Sequence, residues 1–120
     1  MEYKDILDVP RGAILYRLLG KDNAVFYKIE QRLTTRVYAK PLKRLIYQID
    51  GLEDKYFSQP NGESDDPPIV LSVLQDEKGL VKLVDKNNNE YLFKDESSLY
   101  LADPTVEMYQ DNVSDFFRED

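Results

Sequence analysis

Residues 13–29 have the sequence AILYRLLGKDNAVFYKI, in which two apolar runs flank the polar segment Gly20-Lys21-Asp22-Asn23. Aromatic and β-branched residues on both sides of a short Gly/Asp/Asn segment are typical of a β-hairpin. Residues 32–40 then alternate with a period of two, which predicts a third strand. The first third of the chain is therefore expected to form an antiparallel unit of three strands.

A second group of strands is predicted after residue 68. Apolar, β-branched and aromatic residues fill the segments 69–74, 80–84 and 91–93. Polar, turn-forming residues separate these segments at 76–79 and 85–89. The pattern predicts a β-meander, which would give two sets of three strands with a break between them.

Two helices are predicted, near 41–50 and at 104–117. Four apolar residues of the first segment have the i, i+3, i+4, i+7 spacing of an amphipathic helix: Leu42, Leu45, Ile46 and Ile49. Pro41 would occupy the first helical position, and Gly51 follows the end. For the second helix, Asp103 would be the N-cap and Pro104 the first position.

The order of elements predicts an α+β fold, βββα, then a loop, then βββα. Antiparallel hairpins followed by helices favour a small sheet or a partly open barrel with the helices on one face. The loop is the segment 57–68, whose three prolines, glycine and three acidic residues predict a mobile connection. With 120 residues, the chain is expected to be a single compact domain over 1–120.

The composition excludes several classes of function. The chain contains no His, Cys or Trp, which removes the usual general base, thiol nucleophiles, disulfides and thiolate metal sites. The five glycines are never clustered as a phosphate-binding loop requires. No stretch has the apolar length of a membrane helix, and no signal peptide is apparent, so a cytoplasmic location is expected. These absences favour a protein that is not an enzyme.

Charge is distributed unevenly along the chain, whose net charge is −7. Residues 1–60 carry 11 Lys/Arg and 8 Asp/Glu, whereas residues 61–120 carry 5 and 15. If residues 32–40 form one strand, Arg32, Arg36, Tyr38 and Lys40 share a face that would contact an acidic protein or nucleic acid. The acidic pI near 4.6 argues against nucleic acid. Alternatively, the face is a solvated surface or pairs with the acidic half.

Together these features predict a small acidic interaction module that binds and regulates or inhibits another protein. Acidic single-domain proteins can present carboxylates to a basic site by complementarity of their electrostatic fields. Tyr outnumbers Phe by nine to five, and Tyr is enriched at contact surfaces. A protein partner is therefore expected, with neither a membrane nor a required cofactor.

A calcium site is the alternative function. The segment 85–96 places oxygen donors at positions 1, 3, 5, 7 and 12 of a twelve-residue loop: Asp85, Asn87, Asn89, the Tyr91 carbonyl and Glu96. This spacing resembles an EF-hand loop, which implies bound Ca²⁺. It departs from the pattern at position 6, where Glu90 replaces glycine, and in its strand-like flank. The other interpretation is an Asn-rich hairpin turn whose side chains bond their own backbone.

Overall fold

The computed structural model describes residues 2–104, which form eight β-strands and one short 3₁₀ helix, Ile6–Asp8. The strands are β1 (Ile14–Leu18), β2 (Ala24–Arg32), β3 (Arg36–Tyr47), β4 (Tyr56–Glu63), β5 (Ile69–Gln75), β6 (Val81–Val84), β7 (Glu90–Phe93) and β8 (Tyr100–Ala102). No helix in this part of the chain is long and apolar enough to span a membrane.

Six of the strands close into an antiparallel barrel in the order β1-β2-β3-β5-β6-β7. Closure comes from β1, which pairs with β2 on one side and with β7 on the other, where Leu15 is opposite Phe93. The predicted α+β fold with a partly open barrel is therefore wrong, because the described chain is nearly all sheet. A closed barrel buries one face of every strand in its own lumen, so it needs no helix to cover that face.

The predicted hairpin and meander are confirmed. The β1–β2 hairpin pairs Leu18 with Ala24 around the 19–23 turn, where the Leu19 N–H donates to the Asn23 carbonyl at 2.7 Å. Strands β5, β6 and β7 follow one another in the predicted order, each pairing with the next. Both predictions depended on turn chemistry close in sequence to the strands that it joins.

The helix predicted near 41–50 is wrong, since β3 continues through Pro41 to Tyr47. Its buried residues alternate, with Arg44 and Ile46 inside and Lys43 exposed, which is the period of a strand. The Pro41 carbonyl accepts a hydrogen bond from the Ser64 N–H at 3.0 Å. Around this point β3 changes its partner from β2 and β5 to β4.

Two predictions about where strands begin and end are also wrong. The strand predicted over 32–40 is interrupted by a turn at 33–35, where the Leu33 N–H donates to the Arg36 carbonyl at 2.8 Å. The loop predicted at 57–68 is mostly strand, because β4 extends to Glu63 and only residues 64–68 connect it to β5. The helix predicted at 104–117 lies beyond the described residues, and the assignment of 1–120 to one domain stays a prediction.

The barrel lumen holds the main hydrophobic core. Its buried members are Ile6, Val9, Leu15, Ile29, Val37, Ala39, Leu71, Leu83 and Tyr91. The segment before β1 closes the end of the barrel at Ile6, where the Val81 N–H donates to the Tyr3 carbonyl at 2.6 Å. The 33–35 and 76–80 turns lie at this Ile6 end, whereas the 19–23 and 85–89 turns lie at the opposite end.

A second layer packs on the outside of the barrel. The second half of β3 pairs with β4, and β4 pairs with β8. This small sheet covers the outer surface of β1 and β2, where Phe26 and Tyr100 meet edge to face with their ring centroids 5.7 Å apart. Arg44 is 2% exposed in this layer and donates from Nη1 to Asn23 Oδ1 at 3.0 Å and to the Ala24 carbonyl.

Candidate functional site

Arg32 does not join the predicted basic face. It is the last residue of β2, opposite the buried Val37, and its guanidinium donates to the carbonyls of Ile6, at 3.4 Å, and Leu7. Because the 33–35 turn reverses the chain, Arg32 and Arg36 belong to different strands. Arg32 therefore anchors the 3₁₀ helix to the barrel.

The other three predicted residues, Arg36, Tyr38 and Lys40, share the outer face of β3. They alternate with Val37 and Ala39, which are fully buried in the lumen. The Arg36 guanidinium lies over the Tyr38 ring at 5.7 Å from its centroid, a cation–π geometry. Lys40 Nζ donates to the Asp66 carbonyl at 2.6 Å, which ties the 64–68 connection to the barrel.

Neighbouring strands extend this surface with residues that sequence analysis missed. Tyr38 is opposite Val70 of β5, which is 51% exposed, and opposite Gln31 of β2. A cleft of about 370 Å³ opens beside Tyr38. We call this surface the Tyr38 face. Its residues are Arg11, Glu30, Gln31, Arg36, Tyr38, Lys40, Pro68 and Val70. These residues come from three strands and from the segments before β1 and β5, so no local sequence signal identifies Arg11, Pro68 or Val70.

Charge on the Tyr38 face is mainly positive. Within residues 2–104, Arg11 and Arg36 form no salt bridge. Lys28, nearby on β2, differs because its Nζ lies 2.6 Å from Glu63 Oε2. This contact raises the pKa of Lys28 and lowers the pKa of Glu63. The cations available to a partner are therefore the two arginines, together with Lys40.

Three of the five predicted calcium ligands, Asp85, Asn87 and Asn89, lie in the tight turn between β6 and β7, and Asp85 is its central acceptor. Asp85 Oδ1 accepts from the N–H groups of Asn87, at 2.8 Å, and Asn89, at 2.9 Å. Asp85 Oδ2 accepts from Asn89 Nδ2 at 3.0 Å and from the Tyr91 hydroxyl at 2.9 Å. Asn88 adopts a left-handed φ of 66°. The Asn-rich hairpin turn is therefore present, and its own donors bind both carboxylate oxygens of Asp85.

Glu96 is separated from this turn. Residues 90–93 are extended in β7, and the Lys94 N–H continues the ladder by donating to the Ile14 carbonyl at 2.9 Å. An extended strand of this length carries the chain about 10 Å. Glu96 therefore follows the far end of β7 instead of curling back toward Asp85. No group of three acidic side chains within residues 2–104 is placed to hold a metal ion.

Tyr27, Tyr91 and Arg17 form a polar layer at the end of the lumen that is next to the 85–89 turn. Tyr27 and Tyr91 meet edge to face with their centroids 5.2 Å apart, and Arg17 Nη1 donates to the Tyr91 hydroxyl at 3.5 Å. Burial and the hydrogen bond to Asp85 raise the pKa of Tyr91. Tyr91 therefore stays neutral and donates to Asp85, which closes the lumen with bonded polar groups.

The pKa of Asp85 makes the stability of the fold depend on pH. Burial acts to raise this pKa, but hydrogen bonds from Asn89, Tyr91 and Asn87 outweigh it and lower the pKa from 3.8 to about 2. The carboxylate thus stabilises the fold above pH ~4, and this contribution is lost as the pH falls from ~4 to ~2. We expect Asp85→Asn to cost about 1–2 kcal/mol at pH 7, since the turn is partly exposed, and much less at pH 2. Urea unfolding at both pH values measures the difference.

Asn87→Ala is the matched control, because Asn87 contributes its backbone N–H to the turn, while its side chain forms no hydrogen bond within residues 2–104. It should leave the pH dependence unchanged, and an equal loss of pH dependence would contradict the role of Asp85. The same variants test the calcium hypothesis, which stays a prediction. Calcium binding requires a melting temperature that rises with millimolar Ca²⁺ more than with Mg²⁺, and a smaller rise in Asn87→Ala.

The chain matches no protein-family model, and neither the curated proteins nor the solved structures compared with it include a significant match. No relative therefore indicates its family or its function.

Proposed function

We propose that the chain is a non-enzymatic protein-binding module, which uses the Tyr38 face to bind and regulate or inhibit an acidic partner protein. One observation carries the proposal: Arg36 lies over Tyr38 next to the exposed Val70, on the outer wall of a barrel whose lumen is filled. Tyr and Arg are the residues that most often dominate the energy of binding at protein interfaces.

The carboxylates support a binding role better than a catalytic one. Both carboxylate oxygens of Asp85 accept hydrogen bonds within its turn. Asp76 accepts from the N–H groups of Lys78, at 2.8 Å, and Leu80, at 2.9 Å. These acids stabilise hairpin turns. With no His or Cys in the chain, proton transfer and nucleophilic attack would have to rely on carboxylates, Tyr or Lys.

Charge complementarity indicates an acidic partner. The Tyr38 face presents Arg11, Arg36 and Lys40 together with the carboxylate of Glu30, and Lys40 also lies close enough to Glu63 to lower the pKa of that carboxyl, in a chain whose net charge is −7. An acidic surface approaching this face gains local attraction, which raises the rate of association. An acidic protein and a nucleic acid would both meet these cations and the negative net charge of the chain, but the acidic pI near 4.6 favours the protein, because nucleic-acid-binding domains are usually basic.

Arg36→Glu is expected to weaken binding to an acidic ligand at least tenfold. The substitution removes the cation–π contact and opposes the ligand with a like charge. The ligands are fluorescein-labelled polyglutamate and a panel of acidic peptides, titrated with the full chain at about 50 mM salt and followed by anisotropy.

Lys86→Glu is the matched control, because it makes the same change in net charge in the exposed 85–89 turn. Equal weakening by both substitutions would show a general charge effect and would contradict a role for the Tyr38 face. A labelled single-stranded oligonucleotide is titrated in parallel. Binding that depends on Arg36 for the oligonucleotide but not for the peptides would replace the protein partner by nucleic acid.

A further inference from the structure

The cleft in the Tyr38 face has room for one side chain of a partner. Its volume is about 370 Å³, and it is lined by Arg11, Glu30, Gln31, Tyr38 and Pro68. Such a volume is at the lower end of the range for small-ligand pockets, about 300–1,000 Å³. It is therefore suited to an anchoring side chain rather than to a whole helix.

The lining combines apolar rings with hydrogen-bonding groups. Tyr38 and Pro68 offer ring surfaces against which an aromatic side chain can stack. Arg11 supplies a cation for the face of the same ring. Glu30 and Gln31 add side-chain oxygens that accept hydrogen bonds.

Charged anchors suit this lining less well. A Lys or Arg side chain would be attracted by Glu30 but opposed by Arg11 inside the cleft and by Arg36 beside it. A carboxylate would meet Arg11 but also Glu30. A neutral aromatic ring with one hydroxyl donor uses the rings, the cation and the acceptors together.

We infer that the cleft receives a tyrosine side chain of the partner, and that acidic residues flanking this tyrosine contact Arg36 and Lys40. The inference rests on the proposed function, which it deepens by naming the element that is recognised. Tyrosine is preferred to phenylalanine because its hydroxyl donates to Glu30 or Gln31, whose oxygens an apolar ring would leave without a partner.

The test uses labelled peptides with two glutamates on each side of a central residue, which is Tyr, Phe, Ala or Lys. We expect the Tyr peptide to bind the full chain about tenfold more tightly than the Ala peptide, with the Phe peptide between them. In Glu30→Ala/Gln31→Ala, which removes both acceptors from the cleft, the ratio of Tyr to Phe affinity should fall toward one. This ratio is the informative measurement, because the four glutamates are the same in both peptides.

Glu96→Ala, an equal charge change at an exposed residue outside the cleft, should leave the ratio unchanged. The sequence itself includes a tyrosine between carboxylates, Glu107-Met108-Tyr109-Gln110-Asp111, outside the described residues. The titrations are repeated in Tyr109→Ala so that this segment cannot compete, and the same order of affinities is expected.

The outcomes separate the inference from the proposed function. If the Ala and Tyr peptides bind equally while Arg36→Glu still weakens both, the tyrosine anchor is overturned and the acidic partner stands. If the Lys peptide binds most tightly, the cleft is a cation pocket and the inference is also overturned. If no peptide binds, or if Arg36→Glu has no effect, both proposals fail.

Discussion

Replacing Leu71 by alanine is expected to lower the free energy of unfolding by about 3–5 kcal/mol, which is most of the stability of an ordinary small domain. Leu71 lies in β5 and is 0% exposed in the barrel lumen. The lumen is enclosed by paired strands on all sides, so the surrounding wall has little freedom to collapse into the cavity that the substitution leaves. Urea unfolding followed by far-UV circular dichroism measures this loss.

Leu74→Ala is the matched control for Leu71→Ala, because it makes the same substitution three residues later in the same strand. Leu74 is 47% exposed on the outer surface, and its replacement should cost well under 1 kcal/mol. A closed barrel requires this large difference between the two positions. Similar costs would mean that β5 is not buried on one face, which would contradict the architecture.

Local patterns predict the hairpins of this barrel but not its closure. The β1–β2 hairpin and the β5–β6–β7 meander depend on turn residues close in sequence to the strands that they join. The pairings of β3 with β5 and of β1 with β7 join residues 30–36 and 76–78 positions apart, and no local pattern specifies them. Without those two pairings, two three-stranded units look like an open sheet that needs helices to cover it.

The error over 41–50 has a specific physical cause. Leu42 and Ile46 are consistent both with a helical stripe and with alternate residues of a strand, and a basic residue between them, Arg44, is expected to be exposed. In the structure Arg44 is buried, which completes the alternation of a strand. The basic residues near the start of the proposed helix oppose a helix dipole, and this unfavourable feature agrees with the observed strand.

Three of the eight residues of the Tyr38 face follow from alternation within one strand. Arg36, Tyr38 and Lys40 share a face because they are alternate residues of β3, as the sequence predicts. The predicted strand over 32–40 includes Arg32 only because it runs through the 33–35 turn. The remaining residues of the Tyr38 face come from β2, β5 and the segments before β1 and β5, so their proximity depends on the closed barrel.

Replacing Arg44 by alanine is the second substitution with a large expected effect, about 3–5 kcal/mol. The arginine is buried where the second layer meets the barrel, and it bonds Asn23 Oδ1 and the Ala24 carbonyl. Asn23 also accepts from the Asp103 N–H at 3.3 Å, so one side chain links β3, the 19–23 turn and the residue after β8. Removing the cation leaves Asn23 Oδ1 with only the longer bond from the Asp103 N–H, takes the guanidinium from the Ala24 carbonyl and opens a cavity.

Lys43→Ala removes a long cationic side chain from the adjacent, exposed position of β3, so it controls for the loss of charge and should cost less than 1 kcal/mol. A double-mutant cycle with Asn23→Ala should show a coupling energy of about 1–3 kcal/mol, since the two side chains are in contact. Hydrogen exchange should be faster at β8 in Arg44→Ala than in the wild type, with a smaller change in β6. If the energies of the two substitutions are additive and hydrogen exchange increases equally at β8 and β6, Arg44 contributes only packing volume. Phe26 and Tyr100 would then stabilise the second layer on the barrel.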